Sequence, residues 1–167
     1  MVERSGDAPS GTVAFLFTDI EGSTRLWEEV PEAMQVSLER HDAIVFGTFE
    51  RLGGYIFSSG GDGYGVSFAR AGDALEAATT IQAELAAVEW GDAPIKVRMG
   101  LHVGEAEERN GDYFGQSVNR AARVGSAGHG GQLLATRAFV ELVEPPTVVD
   151  LGEHRLRDLT AGQPGPR

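Results

Sequence analysis

The chain has 167 residues, 41% of them apolar, which suits one domain with a buried core and not a disordered polypeptide. Its formal net charge of −11 lacks the basic footprint that non-specific nucleic-acid binding needs, although a cation can still bring a phosphate substrate to an acidic surface. There is no cysteine, hence no disulfide or thiolate chemistry; no apolar run reaches the ~18 residues of a membrane span, and the start lacks a signal-peptide pattern, so a soluble cytoplasmic domain is expected.

Residues 1–10 are polar and read as a flexible tail before a domain spanning 11–159. Val13 to Phe17 form a β-branched and aromatic run, a buried strand that ends in Thr18-Asp19. Asp19 therefore stands at a strand's C-terminal end. Gly22-Ser23-Thr24 follow at the start of a short helix, Thr24 to Glu29, where backbone N–H groups and hydroxyls can cradle an anion. The alternative is that Asp19 and Ser23 only cap the helix.

A long helix is expected from Glu32 to Leu52, with Met34, Leu38, His41, Val45, Phe49 and Leu52 on one face and Gly53-Gly54 ending it. On that apolar face His41 reads as a packed residue and not as a ligand. Tyr55 to Ser58 and Tyr64 to Phe68 form a hairpin around a Gly-rich turn, with Asp62 at its tip. Asp73 to Val88 is a second amphipathic helix, with Asp73 near its N-cap, and Trp90 closes the core. Ile95 to Val103 is a strand, Glu105 to Gly111 a polar hairpin-like arm or loop, and Phe114 to Val124 a helix. A short strand (Gln132 to Ala135), a helix (Thr136 to Leu142) and a last strand (Thr147 to Leu151) follow, and residues 160–167 read as a frayed tail or linker. This order suits an α+β fold, a mixed sheet with helices on one face.

Two acids at strand ends, Asp19 and Asp62, come together if their strands are neighbours. Such a pair beside a helix N-terminus can hold two divalent cations roughly 3.5–4 Å apart, as phosphoryl displacement requires. Asn119 and Arg123, four apart on one helical face, suit a sugar and a developing phosphoryl charge, or else are ordinary solvent-facing residues.

Four segments, in order, resemble the catalytic domain of class III adenylyl/guanylyl cyclases, in their bacterial branch. They are Phe17 to Thr24, Gly61-Asp62-Gly63, Arg98 to Glu105, and Asp112 to Gly115 continuing through Val118 to Arg123. The likeness runs from about Gly11 to Leu159. It implies the ferredoxin-like, palm-type mixed sheet of that family. It also implies two Mg²⁺ or Mn²⁺ ions held by Asp19, Asp62 and the Ile20 carbonyl. ATP would be cyclised to 3′,5′-cyclic AMP with loss of pyrophosphate. Asn119 would place the ribose and Arg123 would meet charge at the α-phosphate, both supplied by the other subunit of a homodimer with two shared sites. Gly22, Ser23 and Thr24 would cradle the outer phosphates, with Arg157 (or Arg155) as a further phosphate ligand where the family usually has Lys.

Base selection departs from the family pattern. Adenylyl cyclases usually carry Lys where this chain has Ser58, whereas Asp112 matches and can accept from the adenine amino group. ATP is therefore expected over GTP, with guanylyl or relaxed cyclase activity as the alternative. A cyclase-like domain that binds nucleotide without turnover is a further alternative. Gly60-Gly61-Asp62-Gly63-Tyr64 also resembles the diguanylate cyclase loop, but Gly63 replaces the acid that loop requires. A phosphatase of the haloacid-dehalogenase type would need Asp-x-Asp, and the chain has Asp19-Ile20-Glu21.

Overall fold

The computed structural model describes residues 7–144 and the backbone of 153–154 and 163–164. Ten residues, Gly11–Ile20 (β1), form the central strand, apolar on both faces because both are covered. A short helix, Ser23–Glu29 (α1), leads into Pro31–Leu52 (α2), which has Pro in its first turn and ends at Gly53 with φ 75. The hairpin comprises Tyr55–Gly60 (β2) and Gly63–Phe68 (β3), and Ala71–Ala86 (α3) follows. Then come Val97–Arg109 (β4), Asp112–Phe114 (β5), Gln116–Ala127 (α4), Leu133–Ala135 (β6) and Arg137–Val140 (α5). Glu153–His154 (β7) and Gln163–Pro164 (β8) pair antiparallel; β8 falls within the stretch read as a tail. The expected strand at Thr147 to Leu151 lies outside the described residues.

The sheet order is β2-β3-β1-β4-β5, with β6 parallel to β4 and the other pairs antiparallel. Alternation along β1 sends Ala14, Leu16 and Ile20 into one apolar layer with Met34, Val45 and Phe49 of α2 and Ile81 and Leu85 of α3. His41 is fully buried on this side, as its neighbours predict. Trp90 packs against the same layer and its indole N–H donates to the Leu85 carbonyl at 3.2 Å.

Val13 and Phe15 point the other way, into a second layer with Tyr55, Phe57, Tyr113, and Val118 and Ala121 of α4. Helices therefore flank both faces, where the sequence reading put them on one. The cause lies in β4. A Cβ at Gly100 would sit 2.3 Å from the backbone nitrogen of Gly125, and one at Gly104 would sit 2.3 Å from Ser117 Oγ. Bare positions on one face of the strand let α4 lie directly on its backbone.

Three smaller differences have local causes. Arg70, not Asp73, occupies the N-cap of α3, and Asp73 falls within its first turn. The polar stretch after Val103 continues as strand to Arg109, then reverses through Asn110 and Gly111. Both have positive φ (53 and 81), as a tight hairpin turn demands. The strands of the first hairpin also run further into its glycines than expected, which leaves only Gly61-Asp62 as the tip.

Candidate active site

Asp19 stands near the end of β1 on the α4 side of the sheet, two residues beyond Phe17. In register it faces Gly63 on β3 and Arg98 on β4. The hairpin tip closes onto this strand end, since the Ile20 amide donates to the Asp62 carbonyl at 3.2 Å and the Tyr64 amide to Thr18 Oγ1 at 3.2 Å. Only glycine permits that approach at position 63, where a Cβ would lie 2.3 Å from the Thr18 carbonyl oxygen. The backbone of Asp62 is thus brought to the strand end that carries Asp19, as neighbouring strands predict.

The Asp19 carboxylate is paired with the Arg98 guanidinium. The Arg98 Nε is buried and has no hydrogen-bond partner. Two half-exposed carboxylates and the neighbouring main-chain carbonyls are hard oxygen donors of the kind that suit Mg²⁺ or Mn²⁺. Among the described residues no three or more His, Cys, Asp or Glu side chains gather into a group that could hold a metal, this corner included. Sequence reasoning named Arg98 only within a family segment and gave it no role. The signal that finds it is register: it stands directly across from Asp19.

The short helix α1 begins at Gly22 in the left-handed region (φ 67), and no side chain caps it. Asp19 and Ser23 are therefore not its caps. Ser23 is half-buried, while Gly22 and Thr24 are exposed beside the Asp19 corner.

Asn119 and Arg123 lie on α4, whose buried side is Val118, Ala121, Val124 and Gly125. Asn119 is exposed and Arg123 half-buried. The helix covers the sheet face that carries Asp19, but Asn119 is turned to the outside of it.

Ser58 and Asp112 come from the two ends of the sheet path, yet their neighbours touch. The arm formed by the end of β4 and β5 curls over the face. Tyr113 meets Phe57 with ring centroids 4.9 Å apart, and Tyr55 Oη donates to the Gly111 carbonyl at 3.1 Å. A bulge after Ile56 sets both Phe57 and Ser58 opposite Gly65. A Cβ on Gly65 would meet Phe57 Cζ at 3.0 Å and Ser58 Cβ at 3.1 Å, so the two side chains share the α4 face of the sheet. Asp112 is exposed, and its Oδ1 accepts from the Tyr113 amide at 2.8 Å. Arg157 and Arg155 lie outside the described residues.

The model of the adenylate and guanylate cyclase catalytic domain matches residues 7–158. The chain belongs to this family. The cyclase domain is 37% identical over 158 residues to an uncharacterised protein of Mycobacterium tuberculosis, a match covering 90% of this chain and 53% of that protein. It is 32% identical over 181 residues to an adenylate cyclase of Podospora anserina, covering 87% of this chain and 8% of the fungal protein. It thus spans about half the length, or far less, of the curated relatives it matches. Among solved structures, an adenylate cyclase of Trypanosoma brucei in its monomeric state superposes with a TM-score of 0.86 at 24% identity, covering 98% of this chain and 90% of the other. An adenylate/guanylate cyclase/hydrolase from Silicibacter pomeroyi gives 0.81 at 26%, covering 93% of each. The mixed sheet flanked by helices is the fold of this family. Its catalytic domains use divalent metal ions. Among the described residues no helix is long and apolar enough to cross a membrane.

Proposed function

We propose that the domain is an adenylate cyclase that converts ATP to 3′,5′-cyclic AMP and pyrophosphate in a cytoplasmic homodimer with two shared sites. The observation that carries this reading is the closure of the Asp62 tip onto the end of β1, which brings the Asp62 backbone to the strand end where the Asp19 carboxylate pairs with Arg98. Two Mg²⁺ or Mn²⁺ ions on Asp19, Asp62 and the Ile20 carbonyl would lower the pKa of the ribose 3′-hydroxyl and neutralise the triphosphate.

The rest falls to the chain itself. Arg98, released from Asp19 once other cations neutralise that carboxylate, would be free to meet the outer phosphates. The uncapped start of α1 at Gly22, Ser23 and Thr24 offers amides and hydroxyls to the same oxygens. Arg157 is the further phosphate ligand. Asn119 orients the ribose and Arg123 meets the charge that grows as the 3′-oxygen bonds to the α-phosphorus and pyrophosphate departs. Asn119 is exposed on α4 with the half-buried Arg123 one turn on, a placement that suits the site of a second copy.

Asp112 accepts from the adenine amino group. Ser58, in the place of a cationic reader, favours a second reading in which GTP is also cyclised. One assay tests the whole: ATP and GTP turnover with Mg²⁺ and with Mn²⁺ across a range of protein concentration. Cyclic AMP as the main product, with specific activity rising with concentration, is expected. A clear preference for GTP overturns the base assignment. Absence of cyclic nucleotide and pyrophosphate in a verified dimer overturns the enzyme reading and leaves a nucleotide-binding domain.

A further inference from the structure

The end of the first hairpin is made of soft material. Residues 60, 61, 63 and 65 are all glycine, and positions 58 to 61 are exposed. The two hydrogen bonds described above, one between main chains and one from the Tyr64 amide to Thr18 Oγ1, fasten it to β1. On its other side, toward the helix layer, a polar trio is built into otherwise apolar packing. Tyr64, two residues beyond Asp62, packs edge-on against Phe46 at 5.0 Å and stacks with His41 at 6.2 Å. Its hydroxyl donates to Asp42 Oδ1 at 2.9 Å. The same oxygen is 2.9 Å from His41 Nδ1, on a ring that is fully buried and whose Nε2 has no partner. Burying such groups costs free energy that a phenylalanine and an apolar helix residue would avoid. What the trio adds is direction. It ties β3 to α2 at a fixed height, one step behind the carboxylate at the tip.

We propose that Tyr64 and Asp42 are positioning residues: the bond from the Tyr64 hydroxyl to Asp42 holds the hairpin end so that Asp62 stands at metal-bridging distance from Asp19. His41 backs the pair by orienting the shared carboxylate. The inference rests on the proposed cyclase reading, and it concerns how the metal ligand is held, not which residues are ligands. Indirect partners of this kind alter metal affinity about tenfold or more when removed.

The test is Mn²⁺ binding by electron paramagnetic resonance, with 3′-deoxy-ATP present so that nothing turns over, together with hydrogen exchange at Gly61 to Gly63. Tyr64→Phe keeps the ring stacking and loses only the hydroxyl. It is expected to weaken Mn²⁺ binding about tenfold and to speed exchange at the tip. Its kcat at saturating Mn²⁺ should stay near that of the wild type. Asp42→Ala should do the same, and the double variant should be no worse than either single one. Asp42→Asn keeps an accepting oxygen and should restore wild-type binding. A Tyr64→Phe protein that binds Mn²⁺ as tightly as the wild type overturns the proposal, as does an Asp42→Asn protein as impaired as Asp42→Ala. A wild-type protein that holds no Mn²⁺ with the nucleotide overturns the cyclase reading itself and this role with it, whereas a wild type that binds while the variants do not differ sinks the positioning role alone.

Discussion

Asp19 makes its ion pair with Arg98 at the solvent boundary, with the two side chains 38% and 28% exposed. Pairs this wet contribute little to stability, so the carboxylate is free to serve chemistry. Asp19→Ala should therefore abolish turnover while the melting temperature stays within a few degrees of the wild type; calorimetry alongside a cyclase assay checks both halves. An unfolded variant would return Asp19 to a structural role. At Ser58 the expectation concerns selectivity. Ser58→Lys should raise the ratio of ATP to GTP turnover, and an unchanged ratio would mean that this side chain does not face the base. Much at this scale was legible in the chain. Asp19 and Asp62 each follow a clear strand pattern, and two neighbouring strands are enough to join them. Arg98 was not, because an arginine inside an alternating strand reads as a surface residue until the register sets it across from Asp19. The side-by-side placement of Phe57 and Ser58 was hidden too, since a bulge depends on what the opposite strand lacks, here a side chain at Gly65.

The β4 strand carries a buried histidine between its two bare glycines. His102 is 2.8 Å from Thr136 Oγ1, the residue that caps α5. Burial, helped by the positive Arg120 nearby, lowers its pKa from the ordinary 6.5 to about 4. The folded pKa lies below the unfolded one, so between these values the unfolded chain binds more protons. The stability present above pH 6.5 is then lost as pH falls toward 4, by roughly 3 kcal/mol over the window. Denaturation at stepped pH should show this loss, and His102→Gln should remove that component while the carboxylate contribution remains. An identical pH profile in the variant would refute the assignment. The elements themselves were mostly readable: α2 from its apolar spacing, β1 from its unbroken hydrophobic run. The face taken by α4 was not, although Gly100 and Gly104, on either side of His102 along one face of β4, carried the hint. Bare positions repeated on one face of a strand mean that another backbone comes close. The hairpin-like reading of the polar arm at 105–111 fits the second hairpin, which turns at Asn110-Gly111.

At the scale of the molecule, the two faces of the sheet have different tasks. One is closed by α2 and α3 and holds most of the core; the other carries Asp19, the arm with Asp112, and α4 with Asn119 turned outward. If each site draws its carboxylates from one copy and its α4 residues from another, two different dead variants can repair each other. Mixing Asp19→Ala with Arg123→Ala in equal amounts should restore about a quarter of wild-type activity, because half the dimers are mixed and each mixed dimer has one complete site. No recovery on mixing would show that a site is built within one chain. The bulge at Phe57 reaches further. With Gly65 bare across from it, position 58 is exposed on an edge strand with no side chain opposite. A change of its occupant is therefore expected to leave the sheet and α4 as they are. If Ser58 reads the base, as proposed, the choice of nucleotide can change at this one position without disturbing the fold.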